Sequence, residues 1–164
     1  MVDRSAPVAL SIPAIDVDVS VSELGLNSDG TVEVPTDYDE AGWFRLGPPP
    51  GQVGSAVILG HVDSSEGPAV FFRLQSLRAG DGVEVSLADG AVARFEVTTV
   101  VMYPKEEFPA RRVYGSHGYS ALQLVTCGGE FDTNTGSYLS NVVAYTSLVT
   151  TTVTAAAVRP AGQS

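Results

Sequence analysis

Val83-Glu84-Val85-Ser86-Leu87-Ala88-Asp89-Gly90-Ala91-Val92-Ala93-Arg94-Phe95-Glu96-Val97-Thr98-Thr99-Val100-Val101 is the stretch that decides the fold. Apolar and polar residues alternate on both sides of Ala88-Asp89-Gly90, and a period of two turns one face of an extended chain toward a core. Asp-Gly between two such runs tolerates the backbone of a tight turn, so the stretch predicts a β-hairpin with strands over Val83–Leu87 and Val92–Val101. Toward the N-terminus, Ala56 to Leu59 is a continuous apolar run of the kind a buried strand shows, and it delivers Gly60 and His61 at its end. Earlier still, Val8 to Ile12 stops at Pro13, Val17 to Val21 alternates with Asp18 and Ser20, and Thr31 to Val34 follows the turn Asn27-Ser28-Asp29-Gly30.

On the other side of the hairpin, residues 102–119 are polar and rich in Pro, Gly and Arg, which predicts a long loop with a helical turn. Ala121 to Val125 then reads as a strand ending on Thr126-Cys127-Gly128-Gly129, and Asn141 to Val149 as the last strand. Between His61 and the hairpin, Val70, Phe71, Leu74 and Leu77 recur at helical spacing behind Gly67-Pro68 and predict a short helix. The sum is a mainly β chain: about eight strands, one or two short helices and no internal repeat, as expected of a closed antiparallel β-barrel. One domain over residues 7–149 is expected, with 1–6 a linker remnant and 150–164 a poorly ordered tail.

Composition narrows the function classes. The 164 residues are 44% hydrophobic and 17% charged, the range of an ordinary globular domain. A formal net charge of -10 with nine scattered Lys and Arg leaves no basic patch to neutralise phosphates, so nucleic acid is not an expected partner. No stretch approaches the roughly 20 apolar residues that span a bilayer, and Met-Val-Asp-Arg-Ser lacks the apolar segment of a signal peptide. Two distant histidines and scattered acids form no ligand spacing, and no loop is dense enough in acids for calcium, so no metal or cofactor is expected.

The single cysteine, Cys127, excludes an internal disulfide. On residue type alone it is a small core residue, a surface side chain or a reactive thiol, just as His61 is either a turn-capping residue or a proton carrier. Both stand where a predicted buried strand gives way to a polar loop. A thiol is only slightly ionised at neutral pH, and an imidazole that takes its proton converts it into a nucleophile.

Ala56-Val57-Ile58-Leu59-Gly60-His61-Val62-Asp63-Ser64 together with Leu124-Val125-Thr126-Cys127-Gly128-Gly129 resembles the two signature segments of sortases. Ile12-Pro13-Ala14-Ile15, the stretch from Leu24 to Pro35, Ala41-Gly42-Trp43-Phe44, Gly67-Pro68-Ala69-Val70-Phe71 and Tyr103-Pro104-Lys105 resemble, in order and spacing, the class F sortases of actinobacteria. The resemblance covers roughly residues 7 to 149. It implies an eight-stranded barrel on the extracellular face of the membrane, usually tethered by an N-terminal helix. It also implies a cysteine transpeptidase that cleaves a Leu-Pro-x-Thr-Gly-like sorting signal of a surface protein. Cys127 would form a thioester acyl-enzyme, His61 would handle the proton, and an amine such as a peptidoglycan precursor would accept the acyl group.

The resemblance breaks at one place. The family carries an arginine on the strand after the cysteine, and the matching segment, Gly136-Ser137-Tyr138-Leu139-Ser140-Asn141-Val142-Val143, has Leu139 there. Asn141, or Arg111 or Arg112 from the long loop, are the candidate substitutes as oxyanion or substrate donors. Thr126 resembles the family threonine before the nucleophile and is a candidate substrate contact. Asp63 is a candidate to orient His61, and Gly128 and Gly129 would give substrate room to approach. His117, in Ser116-His117-Gly118-Tyr119, is read as a loop residue, because Tyr119 stands where the Ser-His-Gly-Cys motif of the L,D-transpeptidases carries its nucleophile. Two alternatives remain: a cysteine hydrolase of similar peptides, and a catalytically weakened β-domain serving adhesion or assembly.

Overall fold

The computed structural model describes the chain except residues 1–4, 31, 36, 38, 62, 65–66, 105–106, 133–136 and 153–164. For residues 63–64, 67–68, 127–132 and 137–140 it describes the backbone alone. Eight strands close into a barrel: β1 (Pro7–Ile12), β2 (Val17–Leu24), β3 (Ala41–Phe44), β4 (Gly54–Leu59), β7 (Gly82–Leu87), β8 (Val92–Pro104), β9 (Ser120–Asp132) and β10 (Ser137–Thr152). Around the barrel they run β1-β2-β3-β4-β9-β10-β8-β7, with β7 returning to β1. The two-residue strands β5 (Asp63–Ser64) and β6 (Gly67–Pro68) pair outside it.

The predicted hairpin is β7 and β8. Its turn closes through Gly90 N–H to Leu87 O at 3.0 Å, Leu87 N–H to Ala91 O at 2.9 Å, and the Asp89 carboxylate accepting from Ala91 N–H at 2.9 Å. Gly90 sits at φ 93°, a conformation side chains disfavour. Alternation does the rest: Val83, Val85, Ala93, Phe95 and Val97 all enter the core. Leu10, Ile12, Ile58, Phe71, Leu122, Leu124 and Ala144 join them to fill the barrel.

Several sequence expectations change. The barrel is not wholly antiparallel, because β2 runs parallel to β3 and β4 runs parallel to β9. The helix expected behind Gly67-Pro68 is instead a succession of tight turns ending in a 3₁₀ turn at Leu74–Ser76. Their bonds span three residues, Phe72 to Ala69, Leu74 to Phe71 and Leu77 to Leu74, and the buried Phe71, Leu74 and Leu77 recur every three residues, which is the 3₁₀ period. Val32 makes only an isolated bridge to Leu26 where a strand over residues 31–34 was expected, and Val34 is 58% exposed. Within the long loop a short α-helix, α1, covers Ala110–Tyr114, and β8 extends through Pro104. Strand β9 does not stop at Val125 but continues through Cys127 to Asp132, so the cysteine lies within a strand.

Candidate active site

Three adjacent strands build one outer face of the barrel. On β4, β9 and β10 the even-numbered residues Ala56, Ile58, Leu122, Leu124, Val142 and Ala144 point into the barrel core. The odd-numbered Val57, Val125, Val143 and Tyr145 form a second buried cluster on the outside, with Val113 of α1. Phe44, Leu59, Val101, Tyr103, Phe108 and Tyr114 flank it half-buried. Helix α1 is pinned over this face by two carbonyls: Val113 O accepts from Gln123 Nε2 at 2.9 Å and Gly115 O from Ser55 Oγ at 2.7 Å.

His61 and Cys127 meet on this face by register. Leu59 lies opposite Val125 in the parallel pair β4–β9, and Gly60 N–H donates to Val125 O at 3.1 Å, carrying the ladder one residue beyond β4. Two residues further along each chain, His61 comes level with Cys127. Neighbouring strands lie about 4.8 Å apart, so the two residues occupy adjoining positions on the rim. The Cys127 side chain lies outside the described residues, as does that of Asp63, and the backbone register gives their places. Antiparallel pairing puts Asn141 directly opposite Cys127. The three residues therefore come level in one row, just past the end of β4 and across β9 and β10.

His61 is held through both its backbone and its ring. Its carbonyl accepts from Phe71 N–H at 2.9 Å, and its Nε2 lies 2.6 Å from the carbonyl oxygen of buried Pro35. Gly60 beneath it admits no side chain: a Cβ there would stand 2.6 Å from Phe71 Cδ2 and 2.8 Å from Val70 Cγ1.

The remaining sequence candidates fall in different places. Thr126 is buried at an even position opposite Val142, so its side chain belongs to the interior, while its carbonyl accepts from Asn141 Nδ2 at 3.4 Å. Arg112 lies with its guanidinium carbon 4.9 Å over the Tyr145 ring. Tyr145 is four residues along β10 from Asn141, about 13 Å at the strand rise, so Arg112 is at the far end of the outer face from the Cys127 row. There Arg112, His117, Gln123 and Tyr145 line a cleft of about 170 Å³. His117 Nε2 is 2.8 Å from Arg112 O. Leu139 sits at a bulge, where three steps on β9 from Gly128 to Phe131 face two on β10 from Ser140 to Tyr138.

The Tyr145 hydroxyl is 2.9 Å from that of Tyr103, and burial first, then this hydrogen bond and the neighbouring phenol, push the Tyr145 pKa well above the ordinary value, with Arg112 pulling it down. Burial likewise raises Tyr114. Among the described residues no three His, Cys, Asp or Glu side chains converge as a metal would need.

A family model for the sortase domain matches residues 10–149. The chain belongs to the sortase family. Solved sortases share its fold. Listeria monocytogenes sortase A superposes with a TM-score of 0.68 at 19% identity, over 92% of this chain and 90% of that one. A lid mutant of Corynebacterium diphtheriae sortase A gives 0.67 at 16% identity, over 91% and 73%. Streptococcus pneumoniae sortase C gives 0.67 at 19% identity, over 94% and 73%. No curated protein matches the sequence significantly. Among the described residues, no helix is long and apolar enough to cross a membrane. Sequence reasoning missed two features of this sortase domain: the outer apolar wall, whose only signal was the near-continuous apolar runs of β4, β9 and β10, buried on both faces, and the Pro35 contact, for which there was none.

Proposed function

We propose that this sortase domain is a cysteine transpeptidase of class F type, acting at the cell surface on a Leu-Pro-x-Thr-Gly-like signal. The observation that carries the reading is the row His61, Cys127, Asn141 set by the β4–β9 and β9–β10 registers. The registers set the backbone positions of these three residues side by side, from places far apart in sequence, and that adjacency supports the reading.

In this reading the Cys127 thiolate attacks the threonine carbonyl carbon, forming the S–C bond and moving the carbonyl electrons onto oxygen. An oxyanion needs a donor at that moment, and Asn141 supplies it where the family arginine is replaced by Leu139. Collapse breaks the C–N bond, and protonated His61 gives its proton to the leaving glycine amine. The incoming amine attacks the thioester, passes a proton to His61 and releases Cys127 as thiolate. The half-buried Leu59, Tyr103 and Phe108 beside the row offer an apolar wall to the leucine and proline of the signal. A peptidoglycan amine is the acceptor, and an N-terminal anchor holds the domain at the membrane.

The test is mass spectrometry of the protein with a Leu-Pro-x-Thr-Gly peptide and triglycine, alongside Cys127→Ala. The expected result is an exchanged peptide that disappears in the variant. Hydrolysis without exchange would move the assignment to a peptidase, and no reaction with an unmodifiable Cys127 would move it to a non-catalytic domain.

A further inference from the structure

The crossover between parallel strands β2 and β3 carries Pro35, and Pro35 touches the rim where His61 emerges. The crossover is tied to itself at one end. Glu33 N–H donates to Gly25 O at 2.9 Å, while Gly25 N–H donates to Glu33 Oε1 at 2.7 Å, so backbone and side chain close the same ring from both sides. Gly30 N–H to Asn27 O at 2.9 Å shapes the tip. Two residues past the clamp the chain buries Pro35, whose carbonyl oxygen reaches His61 Nε2 at 2.6 Å.

A carbonyl oxygen can only accept, so this contact requires a proton on Nε2. We infer that Pro35 is a positioning residue: its carbonyl fixes His61 as the Nε2–H tautomer and leaves Nδ1 as the nitrogen where the catalytic proton arrives and departs. The tautomer assignment stands on geometry alone, whereas its catalytic meaning rests on the transpeptidase reading above. In that reaction the imidazolium loses its Nδ1 proton to the leaving amine and keeps its Nε2 proton on Pro35 O. The resulting neutral imidazole then takes the proton of the acceptor amine at Nδ1. The ring does not have to turn over between the two half-reactions, because one nitrogen is committed to the crossover throughout.

Long-range ¹⁵N–¹H correlation of the imidazoles in the whole chain, with His117→Gln to assign the two histidines, tests the tautomer directly. Neutral His61 is expected to show a pyrrole-type Nε2 and a pyridine-type Nδ1. The reverse pattern overturns the inference whether or not the protein is active. Glu33→Ala removes the side-chain half of the clamp while leaving every residue of the catalytic row unsubstituted, and Glu33→Gln keeps an oxygen acceptor at Oε1. Glu33→Ala is expected to mix the tautomers and lower kcat about ten- to hundredfold, the cost of an ångström-scale misplacement, with KM little changed. Glu33→Gln is expected to restore the spectrum and most of the turnover. A fall in kcat with an unchanged His61 spectrum, or an unchanged kcat with mixed tautomers, would show that Pro35 does not position the catalytic proton. If the wild type shows the Nε2–H tautomer but exchanges no peptide, the tautomer stands and the transpeptidase reading is what fails.

Discussion

Gly60→Ala separates the packing of the rim from its chemistry. The added Cβ would lie 2.6 Å and 3.0 Å from Cδ2 and Cε2 of Phe71 and 2.8 Å from Val70 Cγ1. Carbon atoms pack best at about 3.5–4.0 Å, so roughly an ångström of overlap has to be absorbed. Phe71 is completely buried among the core residues of the barrel and cannot give way. Gly60 has no positive φ, so the strain is steric alone. Overpacking of this kind costs about 1–3 kcal/mol, partly offset by the roughly 0.4–1 kcal/mol that Ala gains over Gly by stiffening the unfolded chain. A net loss near 1–2 kcal/mol lowers Tm by about 2–8 °C in a chain of this size. The larger effect is on His61. Relieving the overlap by a backbone shift at Gly60 moves the adjoining His61, and a displacement of about 1 Å costs on the order of a hundredfold in turnover. Thermal unfolding followed by circular dichroism and peptide exchange onto triglycine measure the two separately. Wild-type Tm together with wild-type turnover would refute the packing argument, and a large Tm loss with unchanged turnover would refute the link from Gly60 to His61.

Asn141→Ala is expected to lower kcat about a hundred- to a thousandfold, the usual cost of an oxyanion donor, in the triglycine exchange assay. Unchanged turnover would confine Asn141 to its bond with Thr126 O. Leu139→Arg returns the family residue to the bulge and is expected to rescue part of that loss; no rescue would count against Asn141 acting in its place. Gln123→Leu leaves the Val113 carbonyl without its donor under α1 and is expected to cost about 1–3 kcal/mol in urea unfolding. Because the folded pKa of Tyr145 is raised, the native state holds its proton while an unfolded phenol, near pH 10, releases it. Its contribution is fully present below pH 10 and declines as pH rises above it. Tyr145→Phe should flatten the fall of unfolding free energy over that alkaline range relative to wild type, and an identical slope would deny Tyr145 a role in it.

The hairpin was legible because it is local. Asp89-Gly90 and the alternation around it name the turn, the strands and the inward residues without reference to the rest of the chain. Spacing misled where two structures share it: Phe71, Leu74 and Leu77 at intervals of three fit an apolar helix face as well as consecutive 3₁₀ turns. On β9 the stop signal was false: Gly128-Gly129 past Cys127 read as the end of the strand and instead accompany a bulge in a continuing one.

The sequence by itself determined the barrel's material, strands of period two with their inward residues, and singled out Cys127 and His61 by residue type and by resemblance to a family. Only the tertiary structure decided that His61 comes level with Cys127, that Asn141 joins them while Arg112 stacks on Tyr145 at the far end of the face, and that Pro35 reaches the imidazole. The physical reason is register. A residue's face follows from its near neighbours in the chain, but its partner across a parallel pair or a crossover is fixed by the packing of the whole core, which no local pattern encodes.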